Sequence, residues 1–141
     1  MAEFIFKKMV EEEHLEDSFL ISSAATSDEE TGNPVYPPAM RILEAHGIDC
    51  SGKRAVRFQR KDYGFYDLIV CMDRHNVRNL LNIVGNDPYG KIRMLLDFTG
   101  HPADVADPWY TRDFDAAYQD IRRGCEALLR RLKKERKGDR L

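Results

Sequence analysis

The sequence predicts a single α/β domain built on a parallel sheet. Three observations carry that reading. Apolar residues recur at helical spacing in separated segments, with short apolar or β-branched stretches between them, the alternation that places strands side by side in parallel. The stretch Asp67-Leu68-Ile69-Val70-Cys71-Met72 is nearly continuous in apolar residues, as in a strand covered on both faces. A chain of 141 residues with 43% hydrophobic content can bury roughly two-thirds of its unfolded surface in one core.

Each element has a local reason. Ala2 to about Glu12 is predicted as a helix with Ile5, Met9 and Val10 on one face, although no capping residue precedes it. Phe19 to Ala25 reads as a buried strand ending in the small-residue turn Ala24-Ala25-Thr26-Ser27, and a turn region continues through Gly32-Asn33-Pro34. Pro37 and Pro38 suit a helix start, Met40 and Leu43 give its apolar spacing, and Gly47 ends it. Arg54 to Phe58 is read as a short edge strand, and Asp67 to Met72 as a central one. Asp73 should cap a helix carrying Val77, Leu80, Leu81 and Val84 up to Gly85. Ile92 to Leu96 is a further strand, and Asp97 to Arg112 a long loop of the length that usually serves function. Asp113 should cap a final helix with Phe114, Ala117, Ile121, Cys125, Leu128 and Leu132 on its buried side.

Net charge is −2 with both signs spread along the chain, which gives no electrostatic grip on nucleic acid or an anionic membrane. No apolar run approaches the ~20 residues that cross a bilayer, and no signal-peptide pattern opens the chain, so a cytoplasmic location is expected. Three cysteines without CxxC spacing fit a reducing compartment. His14, His46, His75 and His101 show no metal-ligand spacing, and no glycine-rich nucleotide loop is present; neither metal nor cofactor is expected.

The chemistry-bearing stretch is Asp107-Pro108-Trp109-Tyr110: a carboxylic acid, a rigid proline and two aromatics suit a loop that protonates an aryl leaving group. Read with Ser23-Ala24-Ala25-Thr26-Ser27, Gly32-Asn33-Pro34-Val35-Tyr36-Pro37-Pro38-Ala39 and Met72-Asp73-Arg74-His75-Asn76, it resembles the low-molecular-weight protein tyrosine phosphatases from Met1 to about Leu132. The resemblance implies a flavodoxin-like parallel sheet of order 2-1-3-4 flanked by helices. It also implies phosphotyrosine hydrolysis through a phosphocysteine intermediate, on a phosphotyrosine protein or a small aryl phosphate. Asp107 then matches the general acid, Trp109 and Tyr110 the aromatic wall against the phosphotyrosine ring, and Ser23 the serine that supports the phosphate loop. Glu29 takes the place of an aromatic on the opposite cleft wall, and Gly52-Lys53 that of a histidine that buttresses the loop.

In that family the helix beginning Met-Ala-Glu follows a strand and a Cys-x5-Arg-Ser-Pro loop that carries the nucleophile. Here Met1-Ala2-Glu3 opens the chain. Residues 1–132 are therefore read as a truncated phosphatase-like domain and 133–141 as a charged tail, with the first, central strand absent and the chain inactive as it stands. Cys125 to Arg131 satisfies Cys-x5-Arg, but the intervening residues are helical and glycine-free, and helical amides cannot cradle an anion. Cys50 and Cys71 miss the spacing by one residue. The alternatives are a non-catalytic binding module that uses the Glu29, Trp109 and Tyr110 rim, and, further off, an arsenate reductase relative. Loss of a central strand further predicts either that the two strands beside it close up against each other or that a second chain fills the slot in a strand-exchanged dimer.

Overall fold

The computed structural model describes residues 1–27, 31–106 and 108–139. Its first helix, α1 (Ala2–Glu12), turns Ile5, Phe6 and Val10 inward and starts at Met1 without a side-chain cap. Helix α2 (Pro37–Ala45) begins on its two prolines and buries Ala39 and Leu43; Gly47 follows at φ 73°, the left-handed conformation that ends a helix. A short helix α3 (Asp62–Phe65) leads into strand β1 (Ile69–Cys71). Helix α4 (Arg74–Val84) is capped by Asp73, whose Oδ1 accepts the Asn76 N–H at 2.7 Å. Strand β2 (Ile92–Met94) lies parallel to β1 in the register Ile69 to Ile92, Val70 to Arg93 and Cys71 to Met94. Helix α5 (Pro108–Thr111) and the long helix α6 (Phe114–Asp139) complete the chain, with Asp113 Oδ1 capping α6 through the Ala116 N–H at 2.9 Å.

The main core joins Ile5, Phe6 and Val10 of α1 with Leu43, Leu95, Leu96, Tyr118, Ile121, Cys125, Leu128 and Leu129. A smaller cluster of Phe58, Cys71, Leu80 and Val84 fills the space between α4 and the sheet. α6 can lie close on residues 95–99 because Gly124 has no side chain: a Cβ there would stand 2.5 Å from Leu95 Cγ.

Several sequence expectations need correction. Phe19–Ala25 is not a strand; its one described pairing is the parallel bridge of Ala25 with Arg57, and Leu20 is 70% exposed. Arg54–Phe58 likewise supplies only isolated bridges, to Pro34 and Ala25, because its expected neighbour is not a regular strand. β2 ends at Met94, where Leu95–Thr99 tightens into a 3₁₀ helix that directs Leu95 and Leu96 into the core. The loop from Asp97 to Arg112 therefore contains the end of that turn and α5. The basic segment after Leu132 continues α6 to Asp139, helped by an Arg131–Glu135 ion pair at 3.2 Å and by Lys133 reaching Glu13, just past the end of α1.

Candidate active site

The end of the sheet is framed by backbone and cap contacts. Past β1, the Met72 N–H donates to Asn76 Oδ1 at 3.1 Å, and the Met72 carbonyl accepts the Val105 N–H at 2.9 Å. Asp104 Oδ1 accepts the Arg74 N–H at 3.1 Å and lies 3.4 Å from Arg74 Nε. The approach to Asp107 is thus tied to the start of α4. On the far side of Asp107, α5 is closed by the Arg112 N–H donating to the Pro108 carbonyl at 2.8 Å, with Arg112 itself at φ 61°. The Asp113 N–H donates to Thr111 Oγ1 at 3.2 Å. A sharp, bonded turn therefore separates α5 from α6.

Asp107 and Glu29 lie outside the described residues. Trp109 and Tyr110 fall within α5, where the backbone is described and their side chains are not. Ser23 is described, and it joins a charged cluster. Its hydroxyl donates to Glu3 Oε1 at 2.6 Å, Lys53 Nζ stands 2.8 Å from the same oxygen, and Lys7 Nζ lies 2.6 Å from Oε2. Lys53 also donates to the Ser23 carbonyl at 3.3 Å.

Glu3 is only 7% exposed. Burial pushes its carboxyl up, but the hydrogen bonds from Lys53, Lys7 and Ser23 outweigh that and hold it at about 2. Burial also lowers the Met1 α-amine below its ordinary value, against the opposing pull of Cys50, Glu3 and Cys125. Sequence reasoning placed Ser23 and Lys53 near the site but did not pair them with Glu3. The spacing of Glu3 and Lys7 on one helix was the available signal, and it pointed to one of the partners.

A model of the low molecular weight phosphotyrosine protein phosphatases matches residues 1–138. The chain belongs to that family. It is 34% identical over 138 residues to low molecular weight protein-tyrosine-phosphatase YfkJ of Bacillus subtilis, covering 96% of this chain and 88% of the relative. It is also 34% identical over 139 residues to the low molecular weight phosphotyrosine protein phosphatase of Sus scrofa, covering 94% and 87%. The crystal structure of YfkJ superposes with a TM-score of 0.91 over 95% of this chain and 86% of that one. That of the Streptococcus pyogenes phosphatase SP-PTP gives 0.81 at 37% identity over 93% and 82%.

In this phosphatase-family chain the cysteines are set as core residues. Cys50, Cys71 and Cys125 are all free and buried. Burial pushes the Cys125 thiol up to about 12, with Glu126 adding to it and the Met1 amine opposing. Burial and the neighbouring Asp73 raise Cys71 to about 11, and burial with Glu44 raises Cys50. A thiol whose pKa is raised in this way is held in its protonated form near neutrality. Cys125 and Arg131 both belong to α6, and Arg131 is engaged with Glu135 at 3.2 Å. Among the described residues no group of His, Cys, Asp and Glu could hold a metal, and no helix is long and apolar enough to cross a membrane.

Proposed function

We propose that this chain carries the leaving-group side of a phosphotyrosine phosphatase site and that, as a separate polypeptide, it does not turn over. Asp107 is assigned as the general acid that protonates the phenolate oxygen as the P–O bond breaks. Trp109 and Tyr110 flank the aryl ring, Glu29 stands on the opposite rim, and Ser23 supports the phosphate loop from the Glu3–Lys53 cluster. The bond-making partner is a cysteine thiolate in a Cys-x5-Arg-Ser-Pro loop, a motif that the 141 residues do not contain. The observation that carries the proposal is the state of the thiols: each of Cys50, Cys71 and Cys125 is buried with its pKa raised.

The sheet order 2-1-3-4 is part of the same proposal, with β1 and β2 as the last two positions and the position beside Phe19–Ala25 open. Two contacts support it. Ser22 Oγ and Tyr66 Oη, three residues ahead of β1, lie 2.6 Å apart, and Asn79 Nδ2 of α4 donates to Thr26 Oγ1 at 3.4 Å. Segment 22–26 is thus linked to residues on either side of β1 in the chain, with no described ladder bond to β1 itself.

The test is turnover of phenyl phosphate by the purified chain. It should stay at background, because loss of a covalent nucleophile costs on the order of 10⁶ in rate. Joining an apolar strand and a Cys-x5-Arg-Ser-Pro loop ahead of Met1 should then create activity. Turnover by the chain alone that Cys125→Ser abolishes would overturn the proposal. If the extended chain stays inactive but binds phosphotyrosine, the non-catalytic binding reading replaces it.

A further inference from the structure

We propose that the groove along the outer edge of β2 docks an acidic protein segment, held in extended form as an added strand. The groove is open, of about 690 Å³, and is lined by Arg74, His75 and Arg78 of α4, by Arg93, and by Asp97 and Asp104, over an apolar floor that includes Val77. Its charge is not internally cancelled. Asp104 is occupied by Arg74, whose Nε lies 3.4 Å away. Among the described residues Arg78 meets His75 Nδ1, at 3.5 Å, and Arg93 lies over the Phe98 ring at 5.5 Å. Among the described residues neither guanidinium has a carboxylate within ion-pair distance.

The strand edge supplies a second, independent feature. The Ile69 N–H donates to the Lys91 carbonyl at 2.9 Å, which sets the ladder. In a parallel pair bonded residues alternate, so Arg93 turns its backbone groups to β1, while Ile92 and Met94 turn theirs outward. The Ile92 N–H is taken by Asp87 Oδ2 at 3.1 Å. The Met94 carbonyl is taken up by the 3₁₀ turn that starts at Leu95, whereas the Met94 N–H and the Ile92 carbonyl turn outward without a described partner. An exposed strand edge is a template for an incoming strand, with main-chain bonds giving affinity and side chains giving selectivity. Arg78 and Arg93 select carboxylates along that strand, and Asp97 disfavours one at its own end of the groove.

The experiment uses the full chain and a fluorescent twelve-residue peptide of alternating Glu and Val, read by anisotropy at low salt. The assay requires no turnover, so its failure says nothing of the aryl-phosphate chemistry. Binding is expected, and Arg78→Glu should weaken it at least about tenfold. Arg130→Glu, an exposed charge reversal on α6, should leave it unchanged. Hydrogen exchange should show the Met94 amide protected by the peptide. Equal weakening by both reversals, a Met94 amide that exchanges as fast with peptide as without, or equal affinity for a twelve-nucleotide oligothymidine each overturns the proposal. Circular dichroism melts of both variants confirm that the proteins compared are folded.

Discussion

Glu3 joins sequence, burial and charge at one position. It belongs to an otherwise apolar-faced helix, yet its carboxylate is inside, held by Lys7, Lys53 and Ser23. Its folded-state pKa of about 2 lies below the ordinary glutamate value of 4.5. A depressed carboxylate stabilises the fold above the unfolded pKa, and that stability is lost as pH falls through the folded pKa. Denaturant titrations should therefore show stability declining between about pH 5 and pH 2, by roughly 2–3 kcal/mol from this group. Glu3→Gln should remove that slope and lower stability at pH 7. An unchanged slope would show that other carboxylates govern the acid limb. The Asp107 assignment, by contrast, rests on a local pattern, the Asp-Pro-aromatic run. In a chain extended with the Cys-x5-Arg-Ser-Pro segment, Asp107→Asn should lower phenyl phosphate turnover by ~10²–10⁴. The loss should be much smaller for an aryl phosphate whose phenol is strongly acidic, since that leaving group departs without a proton. Equal losses on both substrates would remove the acid assignment.

At the scale of elements, what the sequence revealed was what the chain decides locally. Asp73 and Asp113 cap α4 and α6 because a short acceptor beside free amides works in any tertiary setting. The helix-starting prolines of α2 act in the same way. Phe19–Ala25 was misread because a strand is defined by its neighbour: apolar and β-branched residues favour extension, but the ladder depends on what lies alongside. The end of α6 was misread because the basic run looked solvated, whereas its Arg131 and Lys133 find Glu135 and Glu13. Gly124 was not singled out either, being an ordinary helix glycine until α6 meets Leu95. Replacing it with alanine gains about 1 kcal/mol in helix propensity but sets a methyl 2.5 Å from Leu95 Cγ. Overpacking typically costs ~1–3 kcal/mol, so Gly124→Ala should be net destabilising. Gly124→Ala combined with Leu95→Ala should be less destabilised than the sum of the two changes, measured by a double-mutant cycle. Strict additivity would mean that the two sites do not touch in solution.

The whole molecule poses a problem of edges. The Ile69 N–H bonds to Lys91, so by the alternation of a parallel ladder Val70 turns its backbone N–H and carbonyl away from β2. No described bond meets them, and segment 19–24, across the proposed open position, is equally without a described ladder. Leu20 at 70% and Phe65 at 67% exposure add large apolar surface to the same side of the molecule, where Phe65 packs edge-on against Tyr66 and Tyr66 meets Ser22. Unpaired strand groups next to exposed apolar side chains are the conditions under which chains associate through their edges. The separate chain should therefore form a dimer or larger species by strand exchange, its mass rising with concentration in sedimentation. Supplying a strand ahead of Met1 should abolish that association, protect the Val70 amide from hydrogen exchange, and raise the melting temperature. A chain that sediments as a monomer at high concentration, melts cooperatively and already protects Val70 would mean that the segment 19–25 closes on β1 in solution. The open position in the proposed strand order would then not exist.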